Sequence, residues 1–240
     1  MTLSIDHYLE LFRQATSNYW IARDSASSKQ GTNSGQKDQG ERTAVTSGKH
    51  LDAFQKICKR IIDDATEGSC KFHMGRSAPV LPGYFRPTKC WDLIAVRRGQ
   101  LLAAIELKSQ AGPSFGNNFN NRTEEVLGNA IDFWTAYREG AFGKQTRPFL
   151  GWLMLVEDCK KSREPVRVTS PHFEGLPEFR NASYAQRYDI LCSKLIQENL
   201  YTHSCLLMSS RDGSPPTSLS EQTSIESFIR SLYGAMVSFS

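Results

Sequence analysis

Apolar residues along the chain switch between two periods, and the switches outline the fold. Over residues 49–66, Leu51, Phe54, Ile57, Cys58, Ile61, Ile62 and Ala65 fall on one helical face, while Lys56, Lys59, Arg60 and Asp63 take the others. A helix over residues 3–22 precedes it, with Ile5, Leu9, Phe12 and Tyr19 near helical spacing. Between the two, residues 23–48 are rich in Ser, Gly, Gln and Thr and show no period, which predicts a long loop. Pro79, Pro82, Gly83 and Pro87 then break the chain into turns. Residues 91–96 and 101–108 read as a hairpin, with residues 97–100 as its turn and Gly99 where a positive φ is useful. After an Asn/Gly/Phe-rich loop at 112–121, a helix is expected over residues 121–139, burying Val126, Leu127, Ala130, Phe133, Trp134 and Tyr137. Residues 149–156 are continuously apolar, as in a strand covered on both faces. A helix near 183–199, a strand near 203–209 and a last helix near 221–236 complete the chain.

The centre therefore reads helix, strand, strand, strand, helix, strand. This is an α/β class with a mixed central sheet flanked by helices and with N- and C-terminal helical additions. A chain of 240 residues can bury its core without disulfides, and one domain over 1–240 is expected. Its core spans about 49–160, with the loop 23–48 and the region 161–240 as additions. The longest apolar run, 149–156, falls well short of a membrane span, so no membrane partner is expected. The first residues lack a basic n-region, and Asp6 and Glu10 interrupt any apolar stretch, so no signal peptide is read. Six cysteines without a C-x-x-C pair fit reduced thiols in a cytoplasm. Cys70 with His73, and His203 with Cys205, carry metal-binding residue types but lack a second pair at zinc spacing.

Charge adds a location. The chain's formal net charge is +4, yet residues 71–108 hold seven basic residues (Lys71, Arg76, Arg86, Lys89, Arg97, Arg98, Lys108) against only Asp92 and Glu106. That basic excess suits a polyanionic partner, and it also suits a solvated surface hairpin.

The two acids within it carry the chemistry. Asp92 opens one strand of the hairpin, and Glu106-Leu107-Lys108 ends the next. Side chains alternate along a strand, so Glu106 and Lys108 share a face. With a three-residue turn Asp92 stands opposite Glu106; with a two-residue turn it stands opposite Ile105 and diagonal to Glu106. Two carboxylates held close repel unless a cation or proton intervenes. With the Leu107 backbone carbonyl they form an oxygen set suited to Mg²⁺, and Lys108 could steady a water or a phosphate. Such a site suits in-line hydrolysis of a phosphodiester. The competing reading is a cross-strand ion pair on a solvated face. A second acid-x-Lys, Asp158-Cys159-Lys160, lacks an acid-opened partner strand and reads as a strand end.

More than this trio is recognisable. The stretches 36–42, 48–54, 83–94, 106–122 and 128–137 make the chain resemble the XhoI family of type II restriction endonucleases. Among them, Glu106-Leu-Lys-Ser-Gln-Ala-Gly-Pro-Ser-Phe-Gly-Asn-Asn-Phe-Asn-Asn-Arg122 is far more specific than a bare Glu-x-Lys. The resemblance implies the PD-(D/E)xK restriction-endonuclease-like core. It implies Mg²⁺-dependent double-strand cleavage of DNA at the palindrome CTCGAG after the first C, leaving a four-base 5′ overhang. Asp92, Glu106 and Lys108 then become the catalytic residues, with Asp92, Glu106 and the Leu107 carbonyl on the metal. Some enzymes of this fold add an acid from an upstream helix, for which Glu41, Asp52 and Asp63 are candidates. Trp91 stands where the motif has a proline, which puts the strand's entry geometry in question. A palindromic target implies a homodimer, each subunit cutting one strand. Arg86, Lys89, Gln110, Asn117, Asn118 and Asn120 are the expected DNA contacts. A prokaryotic cytoplasm and a cognate methyltransferase protecting the same site, without being a physical partner, are also implied. The alternatives are a structure-directed repair nuclease on the same sheet and a non-catalytic sequence-specific DNA-binding protein.

Overall fold

The computed structural model describes residues 3–31, 49–75 and 79–239. Seven strands follow in chain order: β1 (Lys71–Met74), β2 (Val80–Pro82), β3 (Thr88–Cys90), β4 (Leu93–Arg97), β5 (Gln100–Gln110), β6 (Phe149–Glu157) and β7 (His203–Ser209). Five of them form one sheet in the order β1-β4-β5-β6-β7, and β2 and β3 pair separately as a small hairpin. β1, β4 and β5 are antiparallel, while β5, β6 and β7 are parallel, so the sheet is mixed.

Helices cover both faces. On one lie α1 (Ile5–Gly31), α2 (Asp52–Ala65) and, from the chain's end, α6 (Ile225–Val237). On the other lie α3 (Phe115–Arg138) and, after the one-turn α4 (Lys160–Arg163), α5 (Tyr184–Gln197). Double coverage explains why β6 and β7 are buried at every position and read as unbroken apolar runs. The expected α/β class and mixed sheet are what the structure shows. Within residues 161–240, β7, α5 and α6 complete the sheet and cover both faces. No helix among the described residues is long and apolar enough to cross a membrane.

Three expectations need correction. The first helix does not stop near residue 22 but runs to Gly31, so residues 23–31 belong to it and not to the loop. Contacts from distant sequence meet the helix at and just beyond the expected end. Trp20 Nε1 donates to Ser209 Oγ (2.7 Å), and Arg211 lies over the Trp20 ring and pairs with Asp24 (2.7 Å). Residues 32–48, with the motif stretch 36–42 and Glu41, lie outside the described residues. Second, α3 begins at Phe115, inside the expected loop. Its asparagines resemble turn formers, but Phe115 and Phe119, one turn apart, pack on Tyr184 (5.9 Å) and Tyr188 (5.0 Å) of α5. Packing overrides the weak local preference. Within that helix Val126, Ala130 and Phe133 are buried as expected, whereas Leu127 lies off their face and is exposed. Third, the proline-broken stretch after residue 79 contains the β2–β3 hairpin as well as turns.

His203 begins β7 almost fully buried, its ring edge-on to Phe228 and its Nδ1 without a hydrogen-bond partner among the described residues. Burial pushes its pKa down to about 4. The folded protein therefore keeps His203 neutral where the unfolded chain already takes up a proton. Stability from this residue is complete above pH 6.5 and is lost as pH falls toward 4, by roughly 3 kcal/mol. Urea unfolding of His203→Leu should show a shallower loss of stability between pH 6.5 and 4 than the parent chain. An unchanged slope would remove His203 from the acid response.

Candidate active site

The β4–β5 hairpin closes through Arg98 and Gly99, both at positive φ (50° and 78°), a two-residue turn that Gly99 makes easy. Arg97 pairs with Gln100 and Val96 with Leu101, but Ala95 pairs with Ala103, so Leu102 is an extra residue in β5. This β-bulge puts Leu102 and Ala103 on the same face, in the core under α1, α2 and α6. Leu93 consequently faces Ile105, and the register carried one residue further sets Asp92 opposite Glu106. The turn has two residues, yet the bulge restores the register of a three-residue turn.

Asp92 N donates to Ile105 O (3.2 Å), and Asp92 Oδ2 accepts from Leu107 N (2.7 Å). Alternate residues of a strand present their peptide groups to the same edge. The Leu107 carbonyl therefore lies on the edge where Ile105 O and Leu107 N already meet Asp92. Ala104 packs on the α3 side, and Glu106 and Lys108, two and four residues on, share that face. Lys108 Nζ is 2.9 Å from Glu106 Oε1 and 2.7 Å from Glu125 Oε1 on α3. The competing picture of an ion pair on a solvated face does not hold, because the Glu106 side chain is 3% exposed.

Around Glu106 the structure builds a closed polar network. Oε1 also accepts from Lys89 Nζ (3.1 Å), and Oε2 accepts from Asn129 Nδ2 (2.7 Å). Arg86 donates to Asn129 Oδ1 and to Asp132 Oδ2, the latter at 2.8 Å. Asp132 Oδ1 in turn takes the backbone N–H groups of Tyr84 and Phe85, both at 2.7 Å. Gly83 is required there, since a Cβ would lie 2.3 Å from Asp132 Oδ2 and 2.7 Å from Arg86 O. Arg122 holds the second oxygen of Glu125 (2.5 Å). Glu125, Asn129 and Asp132 thus occupy one stripe of α3, at steps of four and three residues, pointing into the site. That polar stripe within an otherwise apolar helix face was the one sequence signal for these three residues, which strand-based reasoning misses.

Burial raises the Asp92 pKa, opposed in part by the Leu107 N–H. Burial works against the Lys108 ammonium, but Glu106 and Glu125 outweigh it and its pKa rises. For Glu125 burial is again the largest influence, yet Lys108 and Arg122 overcome it and hold the carboxyl below its ordinary value. Asp92 is therefore a carboxyl held high, a buried acid whose charge a cation would relieve. The donor set of Asp92, Glu106 and the Leu107 carbonyl consists wholly of oxygen and fits a hard cation. Among the described residues no group of three His, Cys, Asp or Glu side chains gathers to hold a metal.

Asp92 and Leu107 open onto a cleft of about 200 Å³, bordered on the α2 side by Leu51, Asp52 and Gln55 and elsewhere by Pro79, Cys90 and Trp91. Gln55 donates to the Asp92 carbonyl. Of the upstream acids, Asp52 borders this cleft, whereas Asp63 pairs with Lys59 at the other end of α2. Trp91 has a role a proline could not fill: its N–H donates to Pro79 O (2.8 Å), and its ring lies 4.4 Å under Lys89 Nζ.

The residues expected to touch DNA are spread over several settings. Asn117, Asn118 and Asn120 are exposed on the first turns of α3. Arg86 is half exposed while its guanidinium is held by Asp132 and Asn129. Lys89 is nearly buried on Glu106. Gln110 is buried, with its amide on Phe115 O (3.1 Å) and its carbonyl taking the Tyr188 hydroxyl, so it braces the start of α3 and does not line a surface. The second acid-x-Lys is a strand end: Asp158 pairs with Arg163 (2.7 Å), and Lys160 is exposed.

The family model described as restriction endonuclease XhoI matches residues 29–221 of this chain. The chain is 52% identical over 182 residues to the type II restriction enzyme BstVI of Geobacillus stearothermophilus, covering 74% of this chain and 81% of that protein. It is 46% identical over 198 residues to the type II restriction enzyme XhoI of Xanthomonas vasicola (82% and 78% covered). With the type II restriction enzyme AbrI of Azospirillum brasilense it shares 50% identity over 173 residues (72% and 77% covered). No solved structure matches it. The chain belongs to the XhoI family of restriction endonucleases.

Proposed function

We propose that this chain is a type II restriction endonuclease that cuts double-stranded DNA at CTCGAG, after the first C on each strand, with Mg²⁺ as cofactor. One observation carries the reading: Asp92 faces Glu106 across the hairpin, with Lys108 Nζ 2.9 Å from Glu106 Oε1. Asp92, Glu106 and the Leu107 carbonyl would hold the ion, with Asp52 as a further acid at the cleft edge. A Mg²⁺ ion bound there would polarise a phosphoryl oxygen and lower the pKa of a bound water. Lys108 orients the attacking water and steadies the charge that grows on the phosphate as the water adds opposite the leaving oxygen. Glu125 and Arg122 fix where the Lys108 ammonium points. Arg86 and the asparagines at 117, 118 and 120 stand at the DNA-facing surface, and a homodimer places one such site on each strand of the palindrome.

Plasmid incubated with protein and Mg²⁺ should give discrete bands whose sequenced ends fall at CTCGAG. A smear or shape-dependent cutting points to a repair nuclease, and binding without cutting to a non-catalytic protein; either overturns the reading.

Asp92→Ala, Glu106→Ala and Lys108→Ala should each lower the cutting rate by about a thousandfold or more. Lys108→Ala keeps both acids and should still bind the site in a gel-shift assay. Near-wild-type cutting by Lys108→Ala would contradict the role given to that lysine. Glu125→Gln should lower the single-turnover rate by roughly 10–100-fold while leaving DNA affinity nearly intact, as for a group that positions a reacting one. Equal losses in rate and affinity would place Glu125 in binding instead.

A further inference from the structure

Lys89 sits at the one point where metal and protein compete. The two Glu106 oxygens are used unequally: Oε2 is taken by the Asn129 amide, and Oε1 by two ammonium groups, Lys108 at 2.9 Å and Lys89 at 3.1 Å. Any cation that takes Glu106 Oε1 must share it with these two ammonium groups or displace one of them. The two lysines differ in what remains when it does. Lys108 keeps Glu125 at 2.7 Å. Lys89 keeps only the Cys90 carbonyl (3.2 Å) and the Trp91 ring; among the described residues Glu106 is the one carboxylate it touches.

Charge balance points the same way. Asp92, Glu106 and Glu125 are matched by Lys89, Lys108 and Arg122, and Asp52 at the cleft edge leaves one negative charge, less than a divalent cation brings. A divalent cation arriving alone would leave a buried excess of positive charge, which is costly. A DNA phosphate arriving with it offsets that excess and gives the Lys89 ammonium a new anion.

Resting on the Mg²⁺ reading above, we propose that Lys89 couples metal loading to DNA binding: its ammonium occupies Glu106 Oε1 until a DNA phosphate takes it up. The oxygen then becomes available to the metal, and the DNA-free protein holds metal weakly. Trp91, under the ammonium, fixes Lys89 over Glu106 and gives a reason for a tryptophan at this place in the motif.

Calorimetric titration with Ca²⁺, a hard cation with the same oxygen preference, tests this on the full chain with and without a duplex carrying CTCGAG. In the parent protein the duplex should tighten Ca²⁺ binding by about tenfold or more. Lys89→Met should tighten DNA-free Ca²⁺ binding by about tenfold and lose most of the gain the duplex confers. Trp91→Leu, which keeps the charge but removes the ring, should move both quantities in the same direction by less. Thermal melts identify any variant that fails to fold, and the other variant then carries the test. A Lys89→Met protein with the parent's affinity in both states overturns the proposal while leaving the metal reading intact. A parent protein that takes up no Ca²⁺ even with DNA overturns both.

Discussion

One extra residue in one strand decides which side chains meet at the candidate site. Leu102 bulges out of the β4–β5 ladder, and every residue of β5 beyond it is shifted by one relative to β4. A shift of one changes which partner each side chain meets across the hairpin. Without it the two-residue turn at Arg98 and Gly99 would set Asp92 against Ile105. With it two carboxylates stand face to face at the end of a buried sheet, and the Leu107 peptide group joins them. The rest of the site is arranged around that forced encounter.

Burying Glu106 in a strand whose neighbours from Leu101 to Leu107 are all apolar carries a large desolvation cost, and the fold offsets it with three donors. Those donors are themselves held. Glu125 and Arg122 hold Lys108, the Trp91 ring holds Lys89, and Arg86 with Asp132 holds Asn129. α3 supplies most of this frame from one polar stripe, and Asp132 extends it to the 83–87 turn. The start of α3 is in turn braced by Gln110, Tyr184 and Tyr188. The C-terminal third thus reaches the site indirectly: α5 seats the helix that positions Glu106 and Lys108.

Much of the fold was legible because both of its periods are strong. The face of α2 and the unbroken apolar run of β6 appear at nearly their observed bounds. The helix extensions were not legible. The serine-rich polarity of residues 23–31 and the clustered asparagines of 117–121 argue for loops locally. Only distant partners such as Ser209, Arg211 and Tyr184 decide otherwise. The convergence of Asp92, Glu106 and Lys108 followed from strand alternation, but their register stayed open between two choices. A bulge leaves no mark in residue type, as Leu102 is as apolar as its neighbours. Lys89 and Asn129 come from separate elements and meet Glu106 only through packing, so their place needed coordinates.

The proposed chemistry requires Asp92 and Glu106 to share one cation. A crystal structure of the protein with a CTCGAG duplex and Mn²⁺, read by its anomalous signal, tests this directly. The expected result is a peak at the Asp92 and Glu106 carboxylates, beside the Leu107 carbonyl, with Lys89 turned to a phosphate. A peak bound elsewhere, or a Glu106 still held by both lysines with DNA in place, would contradict it.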